Sequence, residues 1–339
     1  MRGFARTLLM AVILFMAAAV IGFFWLNHQY EQFLQTPLSI DEEGLELVVA
    51  EGSALKGIAS DLANREVIKQ PRYLEFYARS NDLAQRIKAG EYRIDAGARP
   101  ADLIQQIVDG KVIHYSVTLI EGWNFRELMA AIKAHPQLEQ TLTETDGAGV
   151  MKALGEPELH PEGLFYPDTY HITRGTSDLA LLKRARARMK RYLEQAWQAR
   201  DTKLPLKSPY EALILASIVE KETGVAEERP TIAGVFTRRL NKRMRLQTDP
   251  TVIYGMGESF DGDIRFRDLK QDTPYNTYTR RGLPPTPIAI PSGAAIDAAL
   301  HPADGKSLYF VADGSGGHTF SATLEEHNRA VRKYQLRRK

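Results

Sequence analysis

From Leu8 to Leu26 the chain reads LLMAVILFMAAAVIGFFWL, 19 residues without a charge. No polar face interrupts the run. The pattern therefore predicts one helix apolar on every side, roughly 28 Å long and matched to the core of a bilayer. Arg2 and Arg6 precede it, while Glu31, Asp41, Glu42 and Glu43 follow. That asymmetry keeps residues 1–7 in the cytoplasm and sends the rest across, with Trp25 at an interface. A cleaved signal peptide is the rival reading, because Ala17-Ala18-Ala19 resembles a cleavage site. Cleavage there would leave VIGFFWL as an apolar new terminus, which favours an uncleaved anchor over 8–26.

Beyond the anchor the periodicity changes twice. Residues 27–44 are polar, carry one proline, Pro37, and read as a stalk. From Leu45, LELVVA alternates as a strand does, and EGSALKGIASDLANREVI follows as a glycine turn and an amphipathic helix with Leu55, Ile58, Ala59 and Leu62 on one face. A second helical run holds Tyr73, Phe76 and Tyr77, and AGEYRI, Ala89 to Ile94, reads as a returning strand. Pro100 opens a further helix, ADLIQQIVDG, closed by Gly110. The order β-α-α-β makes 45–112 a small module of its own. Its pattern recurs: VVAEGSALKGIASDL at Val48 to Leu62 aligns with TLIEGWNFRELMAAI at Thr118 to Ile132. In both, a strand meets Glu-Gly and apolar residues fall at matching offsets. Strand-turn-helix units also resemble one another without common origin, so the match stands as a local pattern.

The remainder, 113–339, mixes helices and short strands, and the fold class expected is α+β: two outer modules behind a single helix. Leu179 to Arg200 is a basic amphipathic helix, read as a solvated face. Ser208-Pro209-Tyr210-Glu211 opens a helix with a capping box and proline at its first turn, and Gly224 closes it.

Composition narrows the chemistry. Hydrophobic residues make up 44% and charged residues 25% of 339, and the net charge of +2 offers no field for nucleic acid. Cysteine is absent, which removes disulfides and thiol chemistry. The eight histidines include no i, i+4 pair and no HExxH, so no metal site is expected. No P-loop, GxSxG elbow or dinucleotide fingerprint occurs. GSGGH at Gly314 to His318 reads as a hairpin loop between FVAD and TFSA.

What remains is one odd helix and three polar, aromatic loops. ILASIVEKETG, Ile214 to Gly224, is apolar until Glu220 and Glu222 arrive at its C-terminus, where the macrodipole disfavours anions. Burial and the dipole both raise a carboxyl pKa, as an acid that protonates a glycosidic oxygen requires. Either glutamate fits, and about 200° of helix separates them, so they face different neighbours. PEGLFYPDTY (161–170), RLQTDPTVIYG (245–255) and YNTYTRRGLPPTPIAIPS (275–292) supply carboxylates, amides, hydroxyls and tyrosines, a set suited to a sugar polymer. Proline makes the last of these a rigid loop.

Taken together, SIVEKETG, RLQTDPTVIYG, EGLFYPDTY, YNTYTRRGLPP and YFVADGSGGHTF resemble the YceG/MltG family, the membrane-anchored endolytic murein transglycosylases. The resemblance runs from the anchor to near the C-terminus. It implies a LysM-like subdomain at 45–112, departing from an ordinary LysM module in its length and in EGSALKGIA where a GDTL-type turn is usual, and a catalytic domain at 113–339. It implies cleavage between N-acetylmuramic acid and N-acetylglucosamine with a 1,6-anhydro end, limiting nascent strand length without metal or cofactor. The family's catalytic glutamate is the first of SIVEKE, here Glu220; Glu222 becomes a supporting carboxylate. Glu162, Tyr166, Gln247, Asp249 and Asn276 are the candidates for lining the cleft. The expected partners are peptidoglycan strands, the inner membrane through 8–26, and cell-wall synthases, with the catalytic domain in the periplasm. Two rivals stand beside this reading: a hydrolytic muramidase using Asp249 or Glu162 as second carboxylate, and a peptidoglycan-binding scaffold without catalysis.

Overall fold

The computed structural model describes residues 2–336, with side chains from residue 6 onward; Met1 and the basic tail 337–339 lie outside the described residues. The chain divides into two compact units, Met1–Tyr115 and Ser116–Lys339.

The first unit begins with α1, Arg2–Gln35. Among the described residues it is the one helix long and apolar enough to cross a membrane. Leu9, Phe15, Ile21 and Phe24 are exposed around its circumference, an arrangement that water disfavours and lipid tolerates. Near its end the helix turns one-sided. Tyr30, Phe33 and Leu34, at spacings of three and four, meet a partner: Phe33 lies 5.7 Å from Tyr73 and Tyr30 lies 5.3 Å from Phe76, ring centre to ring centre. The stalk expected at 27–44 is therefore corrected for its first part. Residues 27–35 continue the helix, and Phe33 and Leu38 belong to the module's core.

The predicted β-α-α-β order is observed as β1 (Leu45–Val49), α2 (Leu55–Asn64), α3 (Pro71–Ser80) and β2 (Gly90–Ile94). β1 pairs antiparallel with β2, from Leu45 opposite Ile94 to Val49 opposite Gly90. Alternation points Leu47 and Val49 inward, where Leu62, Leu74 and Tyr92 meet them. Next comes α4 (Pro100–Asp109), stopped by Gly110 in the left-handed conformation at φ 74°.

The boundary falls after the first residue of β3 (Tyr115–Leu119), and the second unit continues with α5 (Phe125–Ala134), β4 (Leu138–Glu139) and α6 (Gly147–Ala153). Then follow β5 (Asp168–Ile172), which joins β3, and β6 (Thr176–Ser177), which runs parallel to β4. The long α7 (Asp178–Ala199) leads to α8 (Pro209–Glu222), α9 (Arg229–Asn241), α10 (Asp249–Met256) and α11 (Gly293–Leu300). A hairpin of β7 (Tyr309–Ala312) and β8 (His318–Ser321) encloses the GSGGH turn, and α12 (Leu324–Tyr334) ends the unit.

α8 is the axis of this unit. All eight residues from Ala212 to Val219 are buried, and the helix packs chiefly on α11 and also on α9, α7 and α10. A helix so surrounded has no polar face to give away, which explains its apolar sequence. Its ends differ from the sequence expectation. Ser208 accepts the Glu211 amide at 3.2 Å, but the Glu211 carboxylate takes the amide of Lys207 instead of closing a reciprocal box. At the other end Thr223 turns to extended backbone at φ −144°, so the helix stops before Gly224 and without a left-handed cap.

Candidate active site

Only one polar side chain interrupts the buried run of α8. Ser217 is fully buried, bonds the Ile214 carbonyl at 2.7 Å, and accepts the amide of Ile288 at 3.0 Å. It thereby lays the proline-rich loop 275–292, irregular throughout as expected, along the helix. The same loop ends at Ser292, the N-cap of α11. Ser292 donates to Oε2 of Glu220 twice, through its amide at 2.9 Å and its hydroxyl at 2.5 Å. Arg229, the first residue of α9, donates to Oε1 at 3.2 Å. With three donors, the carboxyl is held as an acceptor on both oxygens. Its side chain is 5% exposed and that of Arg229 14%, so the pair sits in a medium where charge interactions are strong.

A third segment reaches the same place. The turn at Glu121-Gly122-Trp123 bonds the loop twice, Gly122 N to Ile290 O at 2.8 Å and Ile290 N to Trp123 O at 2.7 Å. Lys221, the residue after Glu220, donates to the Gly122 carbonyl at 3.1 Å. The sequence marked this turn only as part of a repeat; Trp123, Arg229 and Ser292 were not singled out. The contacts of the turn with Lys221 and of Ser292 with Glu220 have no spacing signal, because each joins segments distant in the chain.

Glu222 faces other neighbours, as the helical angle requires. Its carboxyl accepts a short hydrogen bond from the Thr248 hydroxyl at the start of α10. Burial pushes it up to about 7, the Thr248 bond pulls against that, and neighbouring Asp249 adds to the rise. Asp249 itself accepts from the Tyr278 hydroxyl at 2.5 Å. Gln247 is exposed beside them with φ +52°, a conformation costly for a residue with a side chain, and its amide bonds Thr277 O at 3.2 Å.

The remaining candidates separate. Tyr166 belongs to the Glu220 side: its hydroxyl lies 2.8 Å from where a side chain on Gly293 would begin, next to Ser292. Glu162 and Asn276, expected to line the cleft, are both buried and bonded within the fold. Glu162 is 2% exposed and accepts from the Phe125 amide, at the start of α5, and from the Tyr254 hydroxyl at 3.0 Å. Burial pushes it up to about 7 despite those bonds. Asn276 is fully buried; its amide donates to the carbonyls of Leu269 and Gln271 and its oxygen accepts from Tyr278 N. With its donors and acceptor committed to the backbone, it braces the loop. Among the described residues no cluster of three or more His, Asp or Glu that would hold a metal occurs.

A family model described as YceG-like matches residues 47–333. An endolytic murein transglycosylase of Bacillus subtilis is 31% identical over 323 residues, 90% of this chain and 89% of that protein. One from Streptococcus pneumoniae is 28% identical over 342 residues, where 90% of this chain spans 61% of the longer protein. The 2.6 Å crystal structure of a YceG-like protein from Listeria monocytogenes is 31% identical, with a TM-score of 0.54 over 85% of this chain and 99% of that one.

Proposed function

This chain belongs to the YceG-like family, and from that membership and the surroundings of Glu220 we propose that it is a membrane-anchored endolytic lytic transglycosylase of peptidoglycan. The observation that carries the reading is Glu220 itself: a carboxyl at the end of a buried helix, held on one oxygen by Ser292 and on the other by Arg229.

The reaction uses that carboxyl twice. Protonated, Glu220 gives its proton to the N-acetylglucosamine oxygen as the bond to muramyl C1 breaks, through an oxocarbenium-like or N-acetyl-assisted transition state. As carboxylate it then takes the proton of the muramyl C6 hydroxyl, whose oxygen bonds C1 and closes the 1,6-anhydro ring. Glu220 ends protonated, and no water is consumed. Ser292 and Arg229 keep the carboxyl in one orientation through both transfers. A hydrolase needs a second carboxylate to activate water. Glu162 is buried at the start of α5 and Asp249 is taken by Tyr278, so both candidates for that part are engaged elsewhere.

In this reading residues 8–26 hold the protein in the inner membrane, with residues 1–7 in the cytoplasm and the catalytic domain in the periplasm beside cell-wall synthases. There it limits the length of nascent strands. The 45–112 module serves as the LysM-like part. The test is digestion of purified peptidoglycan by the full chain in detergent. Release of internal fragments that is lost in Glu220→Gln supports the reading; folded wild-type protein that binds the polymer and releases nothing sinks it in favour of the scaffold.

A further inference from the structure

We propose that an arginine stripe on α7 binds carboxylates of the peptide stems carried by the glycan strand, making peptide-bearing strands the preferred substrate; this rests on the transglycosylase reading. Arg184, Arg188 and Arg191 stand at i, i+4 and i+7, on one side of α7 over about 10 Å. All three are exposed, and exposed Lys183 and Lys190 flank them. A solvated basic face ordinarily finds acidic partners along its helix. Here five cations are met by one ion pair, Arg188 with Asp168, and among the described residues Lys183, Lys190 and Arg191 have no carboxylate in ion-pair reach.

The stripe is ordered by aromatic rings. Arg184 lies 5.7 Å from the ring centre of Tyr170 and donates to the His171 carbonyl at 2.8 Å; Arg188 lies 4.8 Å from that of Tyr166. A guanidinium stacked on a ring keeps donors for a carboxylate, and the stacking reduces the freedom it loses on binding. These rings also fix where the stripe lies. Tyr166 packs on Tyr192 at 5.1 Å, and Tyr192 donates to Asp297 of α11 at 2.9 Å. Both tyrosine hydroxyls crowd Gly293, at 2.8 and 2.7 Å from an added side chain, and Gly293 follows the serine that holds Glu220. The stripe therefore borders the Glu220 site.

Substrate chemistry completes the match. The sugars of the strand need no cation, because their hydroxyls and N-acetyl groups are neutral. Its negative charges are stem carboxylates, and the stems branch from the muramyl residue whose C1 is cut. Arginine is the side chain suited to that group by its paired donors.

The test compares initial rates of the full chain in neutral detergent on strands with stems and on the same strands stripped by an amidase, with the lactyl carboxylate that the amidase uncovers capped as its neutral amide. The expected preference for stem-bearing strands is about tenfold at low salt, shrinking as salt screens it. In Lys190→Glu/Arg191→Glu, and separately in Arg188→Gln, the ratio falls toward one; in Lys242→Glu, just past the end of α9, it stays at the wild-type value. A wild-type ratio of one, or an unchanged ratio in the stripe variants, overturns the inference while leaving the transglycosylase intact. Defects that appear only in vesicles carrying anionic lipid assign the stripe to the membrane surface and also overturn it. Wild-type protein that cleaves neither substrate fails the underlying reading instead.

Discussion

Two stretches of this molecule begin alike and end in different work. β1 and α2 span Leu45–Val49 and Leu55–Asn64; β3 and α5 span Tyr115–Leu119 and Phe125–Ala134, equal in length and each displaced by 70 positions. The burial alternation along the two strands is the same, and both turns hold a left-handed glycine, Gly52 at φ 75° and Gly122 at φ 80°. Space around the turns separates them. An added side chain at Gly52 would meet nothing within 4 Å, whereas Gly122 is bonded to Ile290, in the loop that ends at Ser292, and to Lys221, the residue after Glu220. The caps differ too: Ala54 offers α2 no side-chain bond, while Asn124 and Glu127 close a reciprocal box on α5. Local pattern makes the strand, turn and helix; chemistry enters only where another segment packs against the turn.

Four perturbations test that division, beginning with the largest effect. Glu220→Gln should lower glycan cleavage on the order of a thousandfold while the circular dichroism spectrum remains that of the folded protein. A comparable loss from changing the turn at Gly52 would erase the distinction between the two stretches.

The second perturbation is pH. Glu222 rises from 4.5 to about 7 on folding, so the folded protein prefers the neutral acid. That contribution is whole below pH 4.5, where both states are protonated, and is lost as pH rises through about 7. Glu222→Gln mimics the neutral form. It should be indistinguishable from wild type in urea unfolding near pH 4 and more stable by up to about 3 kcal/mol at pH 8. An equal difference at both pH values would contradict the burial of an acid there.

Smaller effects follow at the contacts to Glu220. Ser292→Ala removes one of two donors to Oε2, and the turnover number should fall roughly ten- to a hundredfold, as loss of a hydrogen bond to a charged group does. Loss of the α11 cap should cost a further ~1 kcal/mol in stability, measurable separately by unfolding. Smallest is the pair Gly52→Ala and Gly122→Ala. Both force a side chain into a left-handed turn and should cost about 1 kcal/mol. Only the second should also slow cleavage; if both variants keep wild-type rates, the turn at Trp123 has no part in holding the site.

What could be read from the sequence follows the range of each interaction. The α1 span shows in 19 uncharged residues because lipid imposes one simple demand on every position. α8 shows because Ser208 and Pro209 mark its start and every following residue is apolar. Its exact stop was misplaced, since Thr223 ends it by turning extended and donating to Glu228, a contact no local rule specifies. The stalk was misread for the same reason: Tyr30 and Phe33 look polar-flanked until α3 supplies Tyr73 and Phe76. Within the site, Glu220 and Glu222 were conspicuous as carboxylates after an apolar run, and the family resemblance chose between them. Glu162 and Asn276 were named by residue type, and buried amides and carboxylates that brace loops use the same residue types as those that bind hydroxyls. Ser292 lay at the end of a candidate loop without being singled out and Arg229 in none, as each becomes meaningful only once α9 and α11 converge on the end of α8.

The most direct test of the central claim is mass analysis of the new ends made by the full-length protein from purified strands in heavy-oxygen water. One carboxyl acting twice predicts 1,6-anhydromuramic ends, lighter by one water than hydrolysis products and free of the heavy label, and absent with Glu220→Gln. Reducing ends carrying the label would show that water enters the reaction, and would contradict a mechanism in which Glu220 acts without a second carboxylate.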